Sequence, residues 1–215
     1  MKAKNILGFP LVILMSMVIS ATFQSCEPDD NCTSGDIDYK PNIYIYPKEQ
    51  IDLNVKINFP LGGEILTSIP EYGGGWNITV DANGLINNEY RFLFYESIQP
   101  GIWQKQYGWT VEKAKLESFF RENMAQYGFK GAEIDDFIEY WIPRLDKSEL
   151  YVIYPQTKEI IDQVISLEFS LQPENILRLH YLIKGTDSKN SNLTAPSIEG
   201  FKREGYFVTE WGVIL

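Results

Sequence analysis

Residues 51–59, Ile-Asp-Leu-Asn-Val-Lys-Ile-Asn-Phe, alternate apolar and polar side chains at every position. Successive side chains of a β-strand point to opposite faces, so this pattern predicts a strand with one face on a core and one in water. The same period of two recurs at residues 165–171 and 177–184. Strands of this kind are typical of antiparallel sheets with one solvated face.

Turn sequences lie on both sides of residues 51–59 and divide the chain into further strands. Gly62-Gly63 and Asp81–Gly84 favour tight turns because Gly and Asn adopt positive φ readily. Such short connections leave no room for crossover helices, so residues 40–97 are predicted to form one antiparallel sheet of about five strands. The predicted strands are residues 43–46, 51–59, 64–69, 76–80, 89–96, 150–154, 165–171, 177–184 and 206–215.

A helical hairpin is predicted between the two groups of strands. Thr110 is the expected N-cap of its first helix, and Gly128 is the expected end. The second helix covers residues 134–141 and stops before Pro143. The first helix has one apolar stripe, made of Leu116, Phe119, Phe120, Met124 and Tyr127. The fold class is therefore α+β, mainly antiparallel sheet with an inserted helical hairpin.

The first 25 residues have the pattern of an export signal. Lys2 and Lys4 precede an apolar run from Ile6 to Ala21, and small residues follow. The run is interrupted and shorter than the roughly 20 apolar residues that a membrane-spanning helix needs. An uncleaved anchor is therefore the weaker interpretation.

Cys26 is the predicted site of lipidation. Its surroundings resemble a bacterial lipoprotein signal, in which the cysteine is acylated and becomes the new N-terminus. The acidic residues Glu27, Asp29 and Asp30 resemble the tether of Bacteroidetes-type surface lipoproteins, and they also fit a plain solvated linker. A disulfide from Cys26 to Cys32 would close only a tiny loop, so Cys32 is expected to stay unpaired.

These signals predict the organisation of the chain and its location. Residues 1–25 are the signal peptide, residues 26–39 an acidic tether, and residues 40–215 a single α+β domain. The protein is expected to be exported and held at the outer membrane or cell surface through a lipid on Cys26. With 19 Lys and Arg against 29 Asp and Glu, the net charge is −10. That charge repels phosphate backbones, so nucleic acid is not expected as a partner.

Several stretches resemble a family of bacterial exported proteins that has no established activity. The opening of residues 40–47, Lys-Pro-Asn-Ile-Tyr-Ile-Tyr-Pro, is similar to its Lys-Pro-x-Ile-Tyr-Leu-Tyr-Pro pattern, and Glu210-Trp211-Gly212 is similar to its C-terminal motif. Tyr95 departs from the family, which carries tryptophan there. The resemblance implies common descent but no mechanism. The other matching stretches are residues 72–76, 92–96 and 137–143.

Metal, thiol and serine chemistry are not expected in the domain. The chain has one histidine, His180, which the strand pattern places on a polar face, and both cysteines precede the domain. Gly-x-Ser-x-Gly and calcium-loop sequences are absent. No metal or cofactor is therefore predicted.

Three carboxylates are the candidate catalytic residues if the protein is an enzyme. Glu96, Glu139 and Glu210 each neighbour large aromatic residues, which raise a carboxyl pKa and favour a general acid. Glycoside hydrolysis needs two such groups and no cofactor. The competing interpretation is that each glutamate only pairs with an arginine or a backbone amide.

Aromatic residues make up 14% of the chain and point to a binding role. Trp76, Trp103 and Trp109 are the candidate ligand-binding residues, and the last two are expected to be exposed in the loop of residues 101–108. Flat aromatic rings stack on sugars and dominate protein interfaces. The favoured hypothesis is therefore a module that binds a glycan or a protein partner in the envelope. The alternatives are a carboxylate-based hydrolase of extracellular glycan and a structural component of an envelope complex.

Overall fold

The computed structural model describes residues 35–188 and 193–215, and the predicted α+β class is confirmed there. Within these ranges the chain forms ten strands and three α-helices. The strands are β1 (Asp36–Tyr46), β2 (Ile51–Asn58), β3 (Glu64–Ile69), β4 (Trp76–Val80), β5 (Leu93–Gln99), β6 (Trp109–Glu112), β7 (Leu150–Thr157), β8 (Ser166–Phe169), β9 (Asn175–Thr186) and β10 (Phe207–Ile214). The helices are α1 (Leu116–Tyr127), α2 (Ala132–Trp141) and α3 (Lys158–Val164).

The described strands form two sheets. A seven-stranded sheet has the order β3-β5-β1-β10-β9-β7-β6, and a three-stranded sheet has the order β4-β2-β8. Every neighbouring pair is antiparallel except β9 and β10, which are parallel. The prediction of one sheet from residues 40–97 is therefore wrong. The alternating strand β2 covers the larger sheet with its apolar face instead of extending that sheet.

Both faces of the seven-stranded sheet are covered, and each face has its own core. Ile43 and Ile45 of β1 point towards the small sheet and α3, where they join one hydrophobic cluster. Tyr44 between them points to the opposite face and joins the cluster under α1 and α2. The sheet is thus the middle layer of three, so polar residues on its faces are buried unless they lie at an edge.

The inserted hairpin begins later than predicted. Thr110 lies in β6, opposite Val152 of β7, and a short 3-10 turn at residues 113–115 precedes α1. The expected end at Gly128 is confirmed, since Gly128 adopts a left-handed φ of 115° and donates its N–H to Met124. Strand β6 and helix α3 were not predicted, because each is too short to show a full period of apolar residues.

The N-terminal edge of the domain also lies earlier than predicted. Strand β1 begins at Asp36, so residues 36–39 are part of the sheet and not of the tether. Asp36 pairs with Gln99 and Asp38 pairs with Ile214, which places these acidic residues in the first pairs of the β1 ladders. The predicted signal peptide, Cys26 and Cys32 lie outside the described residues. No helix in the described ranges is long and apolar enough to cross a membrane.

Candidate functional site

The three candidate tryptophans do not form one exposed face. Trp76 and Trp103 are only 2% and 6% exposed. Trp76 packs edge-on against Tyr72, and its indole Nε1 donates to the carbonyl of Pro70 at 2.8 Å. The expectation that Trp103 is exposed is wrong, since its side chain is part of the core beneath the small sheet. Neither ring offers a free face to a ligand.

Trp109 is the most accessible of the three. It is half-buried, packs at 5.3 Å against the ring of Phe119, and lines a cleft of about 420 Å³ with residues of β6 and α1. No cation–π contact to this ring occurs among the described residues. Trp109 therefore remains a candidate contact residue without a charged group on its face.

Glu210 lies in the core, on the sheet face that the small sheet covers. It forms an ion pair with Arg178 on β9, and its Oε1 accepts a hydrogen bond of 2.8 Å from the hydroxyl of Tyr95. Burial alone raises the pKa of the Glu210 carboxyl, but the charges of Arg178 and His180 outweigh burial and hold this pKa well below its usual range. Glu210 has no exposed surface and matches the arginine-paired interpretation.

His180 is also buried, and its predicted position on a solvated strand face is wrong. The polar-looking face of β9 packs inside because the small sheet covers it. Its Nδ1 lies 2.5 Å from Oδ2 of Asp38, and its Nε2 lies 3.5 Å from Oε2 of Glu210. Burial lowers the pKa of the imidazole, but the carboxylates of Asp38 and Glu210 outweigh it and raise this pKa to about 9. Burial dominates at Asp38 and raises the pKa of its carboxyl.

These groups form a continuous ionic chain, which we call the core ion network: Asp38, His180, Glu210, Arg178 and Asp162. Nη1 of Arg178 donates to Oδ1 of Asp162 and to the carbonyl of Ile165, each at 2.6 Å. Asp162 also forms an ion pair with Lys158 on α3. Through this pair the network extends to partly exposed side chains. The four innermost members have no or almost no exposure, so a substrate cannot reach them in this conformation.

A second polar cluster is open to solvent and is the better candidate site. It is a cleft of about 350 Å³ between the middle of β1 and the C-terminal half of α2, which we call the Lys40 cleft. Its lining residues are Lys40, Phe92, Asp136, Glu139, Tyr140 and Arg144.

Lys40 is the central cation of this cleft. Its ammonium lies 5.3 Å, 5.0 Å and 4.7 Å from the ring centroids of Phe92, Phe94 and Tyr140. Its backbone has a φ of 52°, a conformation uncommon for residues other than glycine. In the described ranges no carboxylate oxygen lies within 4.0 Å of this ammonium. Burial accordingly lowers the pKa of Lys40, because the nearby rings do not replace water fully.

Arg144 is a second cation on the same aromatic residue. The guanidinium carbon lies 3.7 Å from the ring centroid of Tyr140, and Nη1 donates to the Tyr140 carbonyl at 2.7 Å. Arg144 forms no ion pair within the described part of the chain. The acidic neighbour Asp136 is already occupied, since it pairs with Arg91 at 2.7 Å and accepts the hydroxyl of Tyr44 at 3.0 Å.

Two of the three predicted carboxylates lie near Lys40. Glu139 is an exposed lining residue without a hydrogen bond or ion pair to any described residue. Glu96 is half-buried; burial raises the pKa of its carboxyl, against the opposing effect of the backbone N–H and ammonium of Lys40. Lys40 and Arg144 were missed as site residues. The available signal was the Lys40-Pro41 pair, which lies within β1, and an Arg four residues after Tyr140.

The cleft joins three segments that are far apart in the sequence: residues 40–47, 92–96 and 136–144. Comparison with known protein families, curated proteins and solved structures finds no match to this chain. The chemistry of the cleft therefore has to be inferred from its own residues.

Proposed function

We propose that this protein is an exported, lipid-anchored binding module whose Lys40 cleft binds the acidic group of a glycan. The observation that carries the proposal is the pair of cations on one aromatic side chain. Lys40 and Arg144 both contact Tyr140, and neither has a carboxylate partner among the described residues. A partly desolvated cation without a counter-ion favours an anionic ligand.

The acidic group is inferred from the charge pattern around the cleft. The neighbouring cation Arg91 is already paired with Asp136, whereas Lys40 and Arg144 have no carboxylate partner among the described residues. A carboxylate between Lys40 and Arg144 would meet one compact ammonium and one planar guanidinium, and a guanidinium binds carboxylates through two parallel hydrogen bonds.

A glycan is inferred from the remaining lining groups. Phe92 and Tyr140 are half-buried aromatic residues that make part of the cleft lining apolar. The free carboxylate of Glu139 can accept hydrogen bonds from sugar hydroxyls. A cleft of about 350 Å³ suits a short saccharide better than the broad face of a protein partner.

The binding test compares an acidic and a neutral saccharide of equal length. We expect calorimetric titration to detect binding of oligogalacturonate and not of maltooligosaccharide, with affinity falling as salt rises. Arg144→Gln should weaken binding about tenfold, the cost of one charge-assisted contact. Lys56→Met, an exposed lysine on the small sheet, is the matched control. Equal binding of both saccharides, or an unaffected Arg144→Gln variant, would overturn the proposal.

The lipid anchor is tested separately on the full chain. Cys26→Ala should release the protein from the membrane fraction. A Cys26→Ala chain that remains with membranes and keeps its N-terminal segment would contradict the anchor without affecting the cleft.

Glycan hydrolysis is the second candidate function, and the raised pKa of Glu96 beside the Lys40 cleft is the observation that favours it. Glu96 would act as the acid and Glu139 as the base or nucleophile. Release of new reducing ends from the bound saccharide, lost in Glu96→Gln, would support this activity. Binding without release would assign the cleft to recognition alone.

A further inference from the structure

One end of the seven-stranded sheet carries an apolar surface, which we call the β1-start surface. It surrounds a cleft of about 410 Å³ whose lining includes Gly35, Leu61, Ile98 and Pro100. Glu64 is the one charged residue among the described residues that line this cleft. The surface lies where β1 and β3 begin and where β5 ends.

Three exposed aliphatic side chains lie at this end, among them Leu215, which follows Ile214 opposite Asp38. Leu61 is 55% exposed in the turn before β3, and Ile102 is 38% exposed in the loop after β5. Ile102 belongs to this end because the preceding Gly101 packs against the carboxylate of Asp36, the first residue of β1. Exposed aliphatic side chains grouped around a cleft with one charged lining residue make this end of the sheet suitable for contact with an apolar partner.

The path of the chain indicates what covers this surface. Gly35, which lines the cleft, is only nine positions after Cys26. Nine residues span at most about 30 Å at full extension. A lipid on Cys26 would therefore keep this end of the sheet next to the bilayer.

We propose that the β1-start surface rests on the lipid bilayer, with Leu61 and Ile102 inserted at the interface. The inference rests on the proposed lipidation of Cys26. It assigns an orientation to the anchored domain, with β1 starting at the membrane.

The apolar contact orients the domain and does not recruit it. Transfer of two half-exposed aliphatic side chains into lipid favours the bound state by on the order of ten- to a hundredfold. That preference is too small to draw a dilute protein out of water. It suffices once a short tether raises the effective concentration of the surface to the millimolar range or above.

The experiment uses the lipidated full chain in vesicles of phosphatidylethanolamine and phosphatidylglycerol. An environment-sensitive dye is placed at one exposed leucine, in a Cys32→Ser background, by Leu61→Cys or by Leu171→Cys. Leu171 is the matched control because it is 50% exposed and precedes β9, whose start pairs with the start of β10 at the opposite end of the sheet. Lipids with brominated acyl chains then quench the fluorescence of a dye that reaches the interface.

The expected result is several-fold stronger quenching of the dye at position 61 than of the dye at position 171. Combining Ile102→Asp with Pro100→Ala should abolish this difference. Equal quenching at both positions in protein that floats with the vesicles would overturn the orientation while leaving the anchor intact. Protein that does not float with the vesicles would overturn the anchor and the orientation together. A spectral shift of the dye at position 61 that occurs without lipid, and only when a second copy of the chain binds, would also overturn the proposal.

Discussion

The Nδ1 atom of His180 lies 2.5 Å from Oδ2 of Asp38, and neither side chain has any solvent exposure. The contact brings an imidazole and a carboxylate together as a buried charge pair. A buried pair of this kind contributes little net stability when intact. It becomes costly when one partner loses its charge.

Stability is expected to fall at alkaline pH through His180. Its pKa is about 9 in the folded chain against 6.5 as the ordinary value, so the folded state binds the proton more tightly. This stabilisation is complete below pH 6.5 and is lost as pH rises through about 9. The difference corresponds to roughly 3 kcal/mol in the free energy of unfolding.

Urea unfolding at a series of pH values from 6 to 9.5 measures this loss. His180→Gln should be less stable at pH 6 and should show a much flatter pH dependence, because it has no proton to release. The neighbouring charges are Asp38, Glu210 and Arg178. An equal slope in both proteins would show that His180 is not the titrating group.

Gly212 is expected to tolerate no side chain. A Cβ on Gly212 would lie 2.8 Å from Oδ1 of Asp38 and 3.1 Å from ring carbons of His180. Gly212→Ala should therefore destabilise the fold by about 2 kcal/mol or more, because overpacking displaces a buried ion pair. Gly200→Ala is the control, since its Cβ would meet nothing nearer than 3.9 Å. Thermal unfolding of the two variants, equal within error, would contradict the steric argument.

Glu133 should be the carboxylate on α2 that matters most for stability. It is fully buried; Thr209 donates to it at 2.8 Å, and Arg203 donates to both of its oxygens at 2.9 Å and 3.0 Å. Glu133→Gln removes the negative charge and should cost about 2–4 kcal/mol. Glu139→Gln on the same helix removes an exposed, unpaired carboxylate and should change the unfolding free energy by less than about 0.5 kcal/mol. A similar loss in both variants would count against a special role of Glu133.

Tryptophan fluorescence should report a mostly buried set of indoles. Trp76, Trp103, Trp141 and Trp211 are at most 6% exposed, and Trp109 is half-buried. Iodide is therefore expected to quench only a small fraction of the emission. Trp109→Phe should remove most of that fraction. Strong quenching that persists in Trp109→Phe would mean that Trp103 is accessible after all.

The sequence predicts the strands and helices of this fold better than their partners. The period of two at residues 51–59 identifies β2 correctly, yet nothing in that pattern indicates whether β2 extends the large sheet or covers it. The same ambiguity explains why His180 was predicted on a solvated face although it is buried. A polar residue that alternates with apolar ones looks solvated until a second layer is placed over it.

The candidate site was only partly accessible to sequence reasoning. Glu96 and Glu139 were singled out by their aromatic neighbours, and both lie near Lys40. Lys40 itself owes its role to Phe92, Phe94 and Tyr140, which reach it from two distant segments. Contacts of that range depend on the sheet order and cannot be deduced from spacing.

The position of β1 between β5 and β10 also constrains how the chain can fold. Asn42 pairs with Trp211, about 170 residues later in the chain. At a synthesis rate of roughly 5–20 residues per second, β1 waits on the order of ten seconds or longer for β10. Closing so long a loop lowers the entropy of the chain before the contacts between β1 and β10 can offset that loss. Folding is therefore expected to be slow. During that interval one edge of β1, with its aromatic and aliphatic side chains, has no neighbour, and an unpaired strand edge of this kind is prone to aggregation.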